Sequence, residues 1–319
     1  MLLQYHSVMK TLQNLYQKIN IDGKIEFNVG MKEYTTFKTG GSADVFITPA
    51  TKEDIITILR TAKNNGSGVF ILGGGANILV SDKGIRGVVI NMTEMKKYSV
   101  ANNVFSAEAG LPISRASEIS AESGLSGMEF IYSMPGSLGG AVYMNAKCYG
   151  ISISEIIKEV EYIDGNFRIQ RKERENLSFC YKSSPFQNTN NVILNASFLL
   201  KRKDRSAILA AMELNKNDRK EKGHFNFPCA GSVFKNNRSF GAPSGKIIDS
   251  LNLKGYRIGG AKIAEYHANI IINTGNACSS DIMKLIELIK KKVYDKTGFL
   301  LEREIQPVGD WRGFNEKSN

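Results

Sequence analysis

Apolar residues in the first third of the chain occur in short runs and at helical spacings, a pattern that predicts alternating strands and helices. Three runs have the length and β-branched content of strands: Val45–Ile47, Val69–Leu72 and Gly87–Ile90. Between the first two runs, apolar residues fall on one face of a helix, which Thr51, three residues before Asp54, is placed to cap. Helical spacing before residue 20 predicts a further helix that leads into this region.

The middle of the chain continues the mixture. A helix is predicted near 113–123, where Gly124 ends it, and strands are predicted at 160–163 and 192–194. The charged segment 203–222 follows and is predicted to be a helix. The chain therefore contains at least two mixed segments before residue 223.

The last hundred residues predict a separate α+β unit. A helix near 244–251 is followed by a strand at 268–273, and a longer helix at 279–297 ends at Gly298. A final strand is predicted at 299–305, where the two-residue period places Glu302 and Glu304 on the same side. Two such carboxylates are typical of a solvated face, and either becomes an acid/base candidate if it faces a pocket.

These elements predict an α+β protein divided into consecutive segments. The predicted segments are a lead-in at 1–33, mixed subdomains at 34–98 and 99–203, a linking helix at 204–222, a third domain at 223–310 and a tail at 311–319.

Composition places the chain among ordinary globular proteins. The 319 residues are 42% hydrophobic and 23% charged, and no apolar run approaches the roughly 20 residues that a membrane helix needs. The N-terminus lacks the pattern of a secretory signal. The four cysteines form no CxxC pair and there are three histidines, so we expect reduced thiols, no metal site, no membrane insertion and a cytoplasmic location.

The charge favours polyanionic partners. Lys and Arg number 42 against 31 Asp and Glu, a net charge of +11, which suits nucleic acid, a membrane surface or a phosphate-rich small molecule. A nucleic-acid-binding protein would interleave Lys and Arg with aromatic residues on a recognisable module. No such module is present, so nucleic acid is the remote alternative.

Clustered glycines are the more informative excess. The triplet Gly73–Gly75 follows a predicted strand directly, but it matches neither a P-loop nor a Rossmann turn, where Ile78 would have to be glycine. Alone, it predicts a tight turn. A second glycine-dense element at 134–141 suggests instead a long anionic cofactor held by backbone N–H groups. The cofactor-binding candidates are Gly73, Gly74, Gly75, Ala76, Asn77, Pro135, Gly136, Ser137, Gly139 and Gly140.

One rival interpretation uses Ser232-Val233-Phe234-Lys235 and Lys296-Thr297-Gly298, which match the S-x-x-K and K-T-G motifs of penicillin-interacting serine enzymes. Those enzymes start a long helix at S-x-x-K, but residues 236–243 are poor helix formers. They also place K-T-G on a strand, whereas here Gly298 is predicted to end a helix. This interpretation is therefore rejected.

Taken in order, the motifs resemble the family of UDP-N-acetylenolpyruvoylglucosamine reductases, also called UDP-N-acetylmuramate dehydrogenases. The resemblance runs from Tyr34 to Gly309. It is carried by Thr36-Phe37-Lys38-Thr39-Gly40-Gly41, Leu72-Gly73-Gly74-Gly75-Ala76-Asn77, Pro135-Gly136-Ser137-Leu138-Gly139-Gly140, Phe179-Cys180-Tyr181-Lys182-Ser183, Ala230-Gly231-Ser232-Val233-Phe234-Lys235, Gly255-Tyr256-Arg257-Ile258-Gly259-Gly260 and Leu301-Glu302-Arg303-Glu304.

The resemblance implies a two-subdomain FAD-binding unit of the vanillyl-alcohol-oxidase (PCMH) type, followed by a C-terminal α+β substrate-binding domain. It implies a monomer that uses FAD and NADPH to reduce UDP-N-acetylglucosamine enolpyruvate to UDP-N-acetylmuramate for peptidoglycan. Another FAD-dependent oxidoreductase of the same fold is the alternative.

The resemblance also implies roles for individual residues. Hydride would reach C3 of the enolpyruvyl group, Ser232 would donate the proton to C2, and Glu304 would stabilise the enolic intermediate as a protonated acid. Lys182 stands where the family usually has Arg, so the charge is kept while the two-pronged grip on a carboxylate is lost. The substrate-binding candidates are Tyr181, Lys235, Asn236, Lys246 and Tyr256.

Overall fold

The computed structural model describes residues 10–314, so the start of the predicted lead-in, at 1–9, and the end of the predicted tail, at 315–319, lie outside the described residues. The chain separates into two compact units, each assembled from separated segments. The first unit contains the chain up to Val29, Asp44–Gly74 and Gly87–Asn217. The second unit contains Gly30–Ala43, Gly75–Arg86 and the chain from Asp218 onward.

The secondary structure alternates throughout. The helices are α1 (described part, residues 10–16), α2 (Lys52–Asn64), α3 (Ile113–Glu122), α4 (Leu138–Tyr143), α5 (Arg205–Glu221), α6 (Ser244–Asp249) and α7 (Ser279–Thr297). The strands are β1 (Lys24–Gly30), β2 (Ser42–Thr48), β3 (Val69–Leu72), β4 (Ile78–Val80), β5 (Ile85–Asn91), β6 (Tyr98–Ala101), β7 (Val104–Glu108), β8 (Leu125–Ser126), β9 (Lys147–Cys148), β10 (Ile151–Ser152), β11 (Ile157–Ile163), β12 (Ile169–Glu173), β13 (Val192–Leu199), β14 (Lys201–Arg202), β15 (Arg257–Ile258), β16 (Ala261–Ile263), β17 (Ile271–Asn273) and β18 (Gln306–Val308). Short 3-10 helices cover Met31–Tyr34, Met92–Glu94, Glu129–Ile131, Ile153–Glu155, Arg174–Asn176 and Arg238–Phe240.

The first unit is built on two sheets. One has the order β1-β2-β5-β3, with β3 and β5 parallel, and α2 starts at the predicted cap: Thr51 Oγ1 accepts from the Asp54 N–H at 3.0 Å and the Asp54 carboxylate accepts from the Thr51 N–H at 3.2 Å. The other sheet is antiparallel, in the order β12-β11-β13-β7-β6. Its inward residues, including Phe105, Val160 and Phe198, are fully buried in one large core.

The second unit has a core of its own. An antiparallel sheet β15-β16-β17 packs with α7, whose buried residues recur at helical spacing and include Ile282, Ile286, Ile289 and Val293. Gly298 ends α7 with φ +72°, as the sequence predicts. A parallel pair of β4 and β18 joins segments far apart in the chain. Within the described residues, no helix is long and apolar enough to span a bilayer.

The predicted strand at 299–305 is wrong. The regular strand is β18 at Gln306–Val308, and the preceding residues make only an isolated bridge between Arg303 and Phe234. Leu301 and Ile305 are buried, which explains the alternating pattern. The predicted strand at 268–273 is likewise shorter, because only Ile271–Asn273 pairs regularly.

Candidate active site

Within the first unit, Gly73 and Gly74 of the first glycine-rich loop touch the second loop. A β-carbon built on Gly74 would lie 2.5 Å from the Gly136 Cα, and one built on Gly73 would lie 2.2 Å from Ser137 Oγ. Real β-carbons do not approach that closely. At Gly74 the obstacle is main chain, which excludes a side chain there, whereas at Gly73 it is the Ser137 hydroxyl, which would have to rotate away. The structure therefore brings together two segments that the sequence placed in one cofactor-binding set.

The second loop uses most of its own donors. Ser137 caps α4 by accepting from the Gly140 N–H at 3.3 Å. The N–H groups of Leu138 and Gly139 donate to the carbonyls of Leu111 and Ala109, each at 2.8 Å. The backbone donors of Gly139 and Gly140 are thus satisfied inside the protein. Gly139 is buried against Ala109, where a β-carbon would lie 2.6 Å from the Ala109 Cβ, whereas Gly140 is exposed.

The first loop has the opposite arrangement. Its carbonyls face protein: that of Gly75 accepts from the Thr36 N–H at 3.1 Å and that of Asn77 from the Gln306 N–H at 2.9 Å. Among the described residues, the N–H groups of residues 74–77 donate to no acceptor. Gly75 has φ +60° and lies against the Tyr34 carbonyl, where a β-carbon would be 1.9 Å from the oxygen. Consecutive unpaired N–H groups of this kind fit an anion such as a pyrophosphate.

Lys182 occupies a tight turn in the first unit. The N–H and carbonyl groups of Cys180 and Ser183 pair reciprocally at 3.1 and 3.2 Å, and Lys182 between them has φ +54°. Asn145 Nδ2 donates to the Cys180 carbonyl at 2.7 Å, which fixes the turn beside the end of α4. The neighbouring Tyr181 is 47% exposed, so the turn presents both predicted site residues at the surface of this unit.

Ser232 and Glu304 lie on neighbouring extended segments of the second unit. The Glu304 N–H donates to the Val233 carbonyl at 2.7 Å, and the Val233 N–H donates to the Asn269 carbonyl at 2.8 Å. Ser232 itself bridges to Ile270. Both side chains are half-buried. The structure thus brings the predicted proton donor next to the segment that carries the predicted carboxylate.

Two of the predicted substrate-binding residues are positioned by the same segments. The Lys235 N–H donates to the Glu302 carbonyl at 2.9 Å, and the Lys235 ammonium forms an ion pair with the Glu302 carboxylate. Asn236 Oδ1 accepts from the Ser244 N–H at 2.9 Å. Ser244 begins α6, the helix that also carries the exposed Lys246.

Tyr256 lies apart from these residues along the chain. Its N–H donates to the Leu253 carbonyl, and its own carbonyl accepts from the Ile263 N–H at 3.0 Å. Its side chain is 47% exposed. These contacts hold Tyr256 in the turn before β15 without linking it to the segments of Ser232 or Glu304.

Asn269 is a site residue that sequence reasoning missed. Its side chain accepts from the Phe234 N–H at 2.9 Å and donates to the Phe234 carbonyl at 2.8 Å. It is 3% exposed. Because its side chain bonds both main-chain groups of Phe234, it holds the segment after Ser232 in the way that a neighbouring strand would. The signal was an asparagine beside the apolar run Ile270–Ile272.

A group of titratable side chains lies just before Ser232 in the chain and around residue 267. Burial, together with the positive charge of Arg219, lowers the pKa of His224 to about 4. Burial also lowers the pKa of His267, whose Nδ1 accepts from the Asn269 N–H at 3.1 Å. Burial raises the pKa of Tyr266 to about 12 and that of the Cys229 thiol. Both histidines are therefore neutral near pH 7.

Within residues 10–314, no group of three or more His, Cys, Asp or Glu side chains is placed to hold a metal ion.

Comparisons with known proteins agree with the cofactor loop. A family described as "FAD binding domain" matches residues 43–171, and a family described as "UDP-N-acetylenolpyruvoylglucosamine reductase, C-terminal domain" matches residues 223–308. The chain is thus an FAD-binding oxidoreductase.

Whole-length relatives make the assignment specific. A UDP-N-acetylenolpyruvoylglucosamine reductase of Borrelia garinii is 43% identical over 303 residues, covering 95% of this chain and 98% of the relative. One from Treponema denticola is 42% identical over 307 residues, covering 91% and 95%. The crystal structure of the Thermus caldophilus reductase matches with a TM-score of 0.76 and 28% identity, covering 91% of this chain and all of that one.

The chain belongs to the UDP-N-acetylenolpyruvoylglucosamine reductase family. The predicted resemblance is confirmed, as is the α+β fold with an FAD-binding part and a C-terminal reductase domain. The cofactors of this family are the two that the sequence predicted, FAD and NADPH.

Proposed function

We propose that this protein uses NADPH and FAD to reduce UDP-N-acetylglucosamine enolpyruvate to UDP-N-acetylmuramate, a precursor of peptidoglycan. The observation that carries the proposal is the hydrogen bond from the Glu304 N–H to the carbonyl of Val233, the residue after Ser232, which joins the two segments that carry the proposed proton donor and carboxylate. Family membership supplies the substrate. The net charge of +11 suits a reaction whose substrate and cofactors are all polyanions.

Binding of FAD is assigned to the first glycine loop. The unpaired N–H groups of residues 74–77 would receive the pyrophosphate, and the contact of Gly74 with Gly136 would keep the loop rigid. The side chains of Tyr181, Lys235, Asn236, Lys246 and Tyr256 are proposed to bind the UDP-sugar.

The reaction adds two electrons and two protons across one double bond. FAD, when bound and reduced by NADPH, supplies hydride for C3 of the enolpyruvyl group. Negative charge then develops at C2 and spreads into the neighbouring carboxylate, so the site needs a proton donor at C2 and groups that stabilise this charge.

Ser232 donates its hydroxyl proton to C2, which breaks its O–H bond and forms the C2–H bond. Its main chain is held by the bridge to Ile270, which fixes the Cα from which the hydroxyl is presented. Glu304 donates a hydrogen bond to the enolic oxygen while charge is present there, and the positive charge of Lys182 attracts the substrate carboxylate.

The chain is proposed to act as a monomer in the cytoplasm, where the nucleotide-linked substrate and NADPH would both be available. No nucleic acid takes part in this function.

A visible absorbance spectrum tests the proposal. The purified protein should show a flavin spectrum that bleaches when NADPH is added without oxygen and recovers when UDP-N-acetylglucosamine enolpyruvate follows. Bleaching without recovery would keep the flavoenzyme and reject the substrate. A colourless protein that FAD cannot reconstitute would reject both.

The same assay isolates the proton donor. Ser232→Ala should bleach with NADPH at the wild-type rate, while recovery slows by about 10³-fold because general-acid catalysis is lost. Ser239→Ala, which removes an exposed hydroxyl bonded to Asn237 in the same unit, is the matched control and should leave both rates unchanged. Equal recovery rates in wild type and Ser232→Ala would remove Ser232 from the chemistry.

A further inference from the structure

Asn77 connects the first glycine loop to the segment of Glu304. Its side-chain Nδ2 donates to the Glu304 carbonyl at 3.0 Å, and its own carbonyl accepts from the Gln306 N–H at 2.9 Å. All three residues belong to the second unit. The parallel pairing of β4 with β18 continues directly from this contact.

The side-chain amide and the main-chain N–H of Asn77 have different roles. A carbonyl accepts only from a donor, so the amide nitrogen, not the amide oxygen, must point at Glu304. The side-chain donor is therefore engaged with protein. The main-chain N–H of Asn77 belongs to the unpaired set at residues 74–77 and remains available to an anion.

Glu304 is thereby held from both sides. Its N–H donates to the Val233 carbonyl at 2.7 Å, and its carbonyl accepts from Asn77. The residues just before β18 form no regular strand; apart from these two bonds, their main chain is held by the Lys235 N–H at the Glu302 carbonyl and by the isolated bridge between Arg303 and Phe234. Removing the Asn77 amide would release the hydrogen bond at the carbonyl of Glu304 itself, which adjoins the Cα that bears the Glu304 side chain.

We propose that Asn77 is a positioning residue for Glu304. The Asn77 side chain holds the main chain of Glu304 so that the Glu304 carboxyl group is aligned with the substrate, and it does not bind the cofactor. The inference rests on the proposed function, because it takes Glu304 to stabilise the reaction intermediate. It assigns the asparagine of the loop a role in the second half of the reaction, in which the substrate is reduced.

The test separates cofactor binding from the two halves of the reaction. Asn77→Leu keeps the branched shape of the side chain and removes the donor, and Asn77→Ala, which also lacks a donor, is a smaller alternative should the leucine variant fail to fold. FAD is titrated into each apoprotein, and bleaching by NADPH and recovery with UDP-N-acetylglucosamine enolpyruvate are timed separately. We expect FAD affinity within about threefold of wild type and unchanged bleaching, with recovery slowed about 10- to 100-fold, as small misplacements of a reacting group cause.

Two controls give the result its meaning. Asn273 is another buried asparagine of the same unit, and its Nδ2 donates to the Phe37 carbonyl at 2.9 Å. Asn273→Leu therefore removes the same type of bond elsewhere and should not slow recovery. If Asn77 acts through Glu304, the double variant Asn77→Leu with Glu304→Gln should recover no more slowly than Glu304→Gln alone.

The outcomes discriminate between the claims. A loss of FAD affinity greater than tenfold would make the Asn77 side chain a cofactor ligand and overturn the inference without any turnover being measured. Additive slowing in the double variant, or normal recovery in Asn77→Leu, would also overturn it while leaving the proposed function intact. Failure of wild-type recovery would overturn the proposed function and the inference together.

Discussion

Gly74 lies against Gly136 so closely that a β-carbon on the former would be 2.5 Å from the Cα of the latter. The contact is between two main chains, so neither partner can move aside as a flexible side chain would. The glycine at position 74 is therefore required by packing within the first unit as well as by any ligand.

Gly74→Ala should lower the free energy of unfolding by about 2 kcal/mol, the usual cost of forcing extra volume into a packed site. The displaced loop should also release FAD more readily. Urea unfolding and the flavin-to-protein absorbance ratio of the purified variant measure the two effects.

Gly30→Ala is the matched control, because a β-carbon there meets nothing within 4 Å and the residue has φ −64°. It should change the free energy of unfolding by less than about 0.5 kcal/mol. Equal effects of the two substitutions would show that the close approach of Gly74 to Gly136 is not what limits residue 74.

Lys182→Arg should raise kcat/KM about fivefold, since a guanidinium can add a second charge-assisted hydrogen bond worth about 1 kcal/mol to the substrate carboxylate. Both side chains tolerate the turn to a similar degree, so the φ of +54° is not a reason for failure. Steady-state kinetics with varied UDP-sugar measure the change. Lys172→Arg, at an exposed position on β12, should have no effect. An unchanged or lower kcat/KM for Lys182→Arg would contradict the idea that the enzyme lacks a second hydrogen bond to the substrate carboxylate.

Glu161 should contribute stability that is lost in acid. It is 5% exposed and pairs with Lys52 and, at 2.7 Å, with Arg171. Burial alone would raise its pKa, but the two cations outweigh burial and lower the pKa below its ordinary value. The contribution is therefore complete above the ordinary carboxyl pKa and disappears as the pH falls through the lowered value.

Glu161→Gln should cost about 2 kcal/mol at pH 7, because the amide leaves two cations without their partner. The difference from wild type should shrink below about pH 4. Urea unfolding at several pH values checks both statements. Glu94→Gln, which breaks an exposed pair with Lys96, should cost less than about 0.5 kcal/mol at any pH. A pH-independent cost at Glu161 would show that packing rather than charge is responsible.

His224 should make the protein less stable as the pH falls from 7 to 4. Its pKa is about 4 in the folded protein against an ordinary value of 6.5, so the unfolded chain binds a proton first and unfolding is favoured across that interval. Over the interval, the free energy of unfolding of wild type should fall about 2 kcal/mol more than that of His224→Gln. Parallel pH profiles for the two proteins would contradict the prediction.

Much of the secondary structure could be predicted from local sequence signals. The pairing of Thr51 with Asp54 and the glycine at 298 marked helix ends correctly, because caps involve neighbouring residues. The predicted strand at 299–305 was wrong, because alternation reports only which side chains are buried. The backbone partner of Glu304 is Val233, which no local pattern indicates.

The candidate site was predictable in its parts and not in its connections. The sequence placed Asn77 among the cofactor residues from its loop alone, and its bond to the Glu304 carbonyl joins residues from opposite ends of the chain. The packing of Gly139 against Ala109 and the bond from the Gly140 N–H to Ser137 are likewise contacts that the glycine pattern does not reveal. Long-range backbone contacts are set by the folded structure and leave no periodic trace.

The parallel pairing of β4 with β18 also affects how the protein can be made. Residues 78–80 leave the ribosome long before residues 306–308 have been translated, so the nascent chain carries an unpaired strand edge for most of its synthesis. Such edges favour aggregation, which makes this segment a natural client for a chaperone. Asn77 can bond to Glu304 only after residue 304 has been translated. The cofactor loop therefore reaches its final shape after translation of β18.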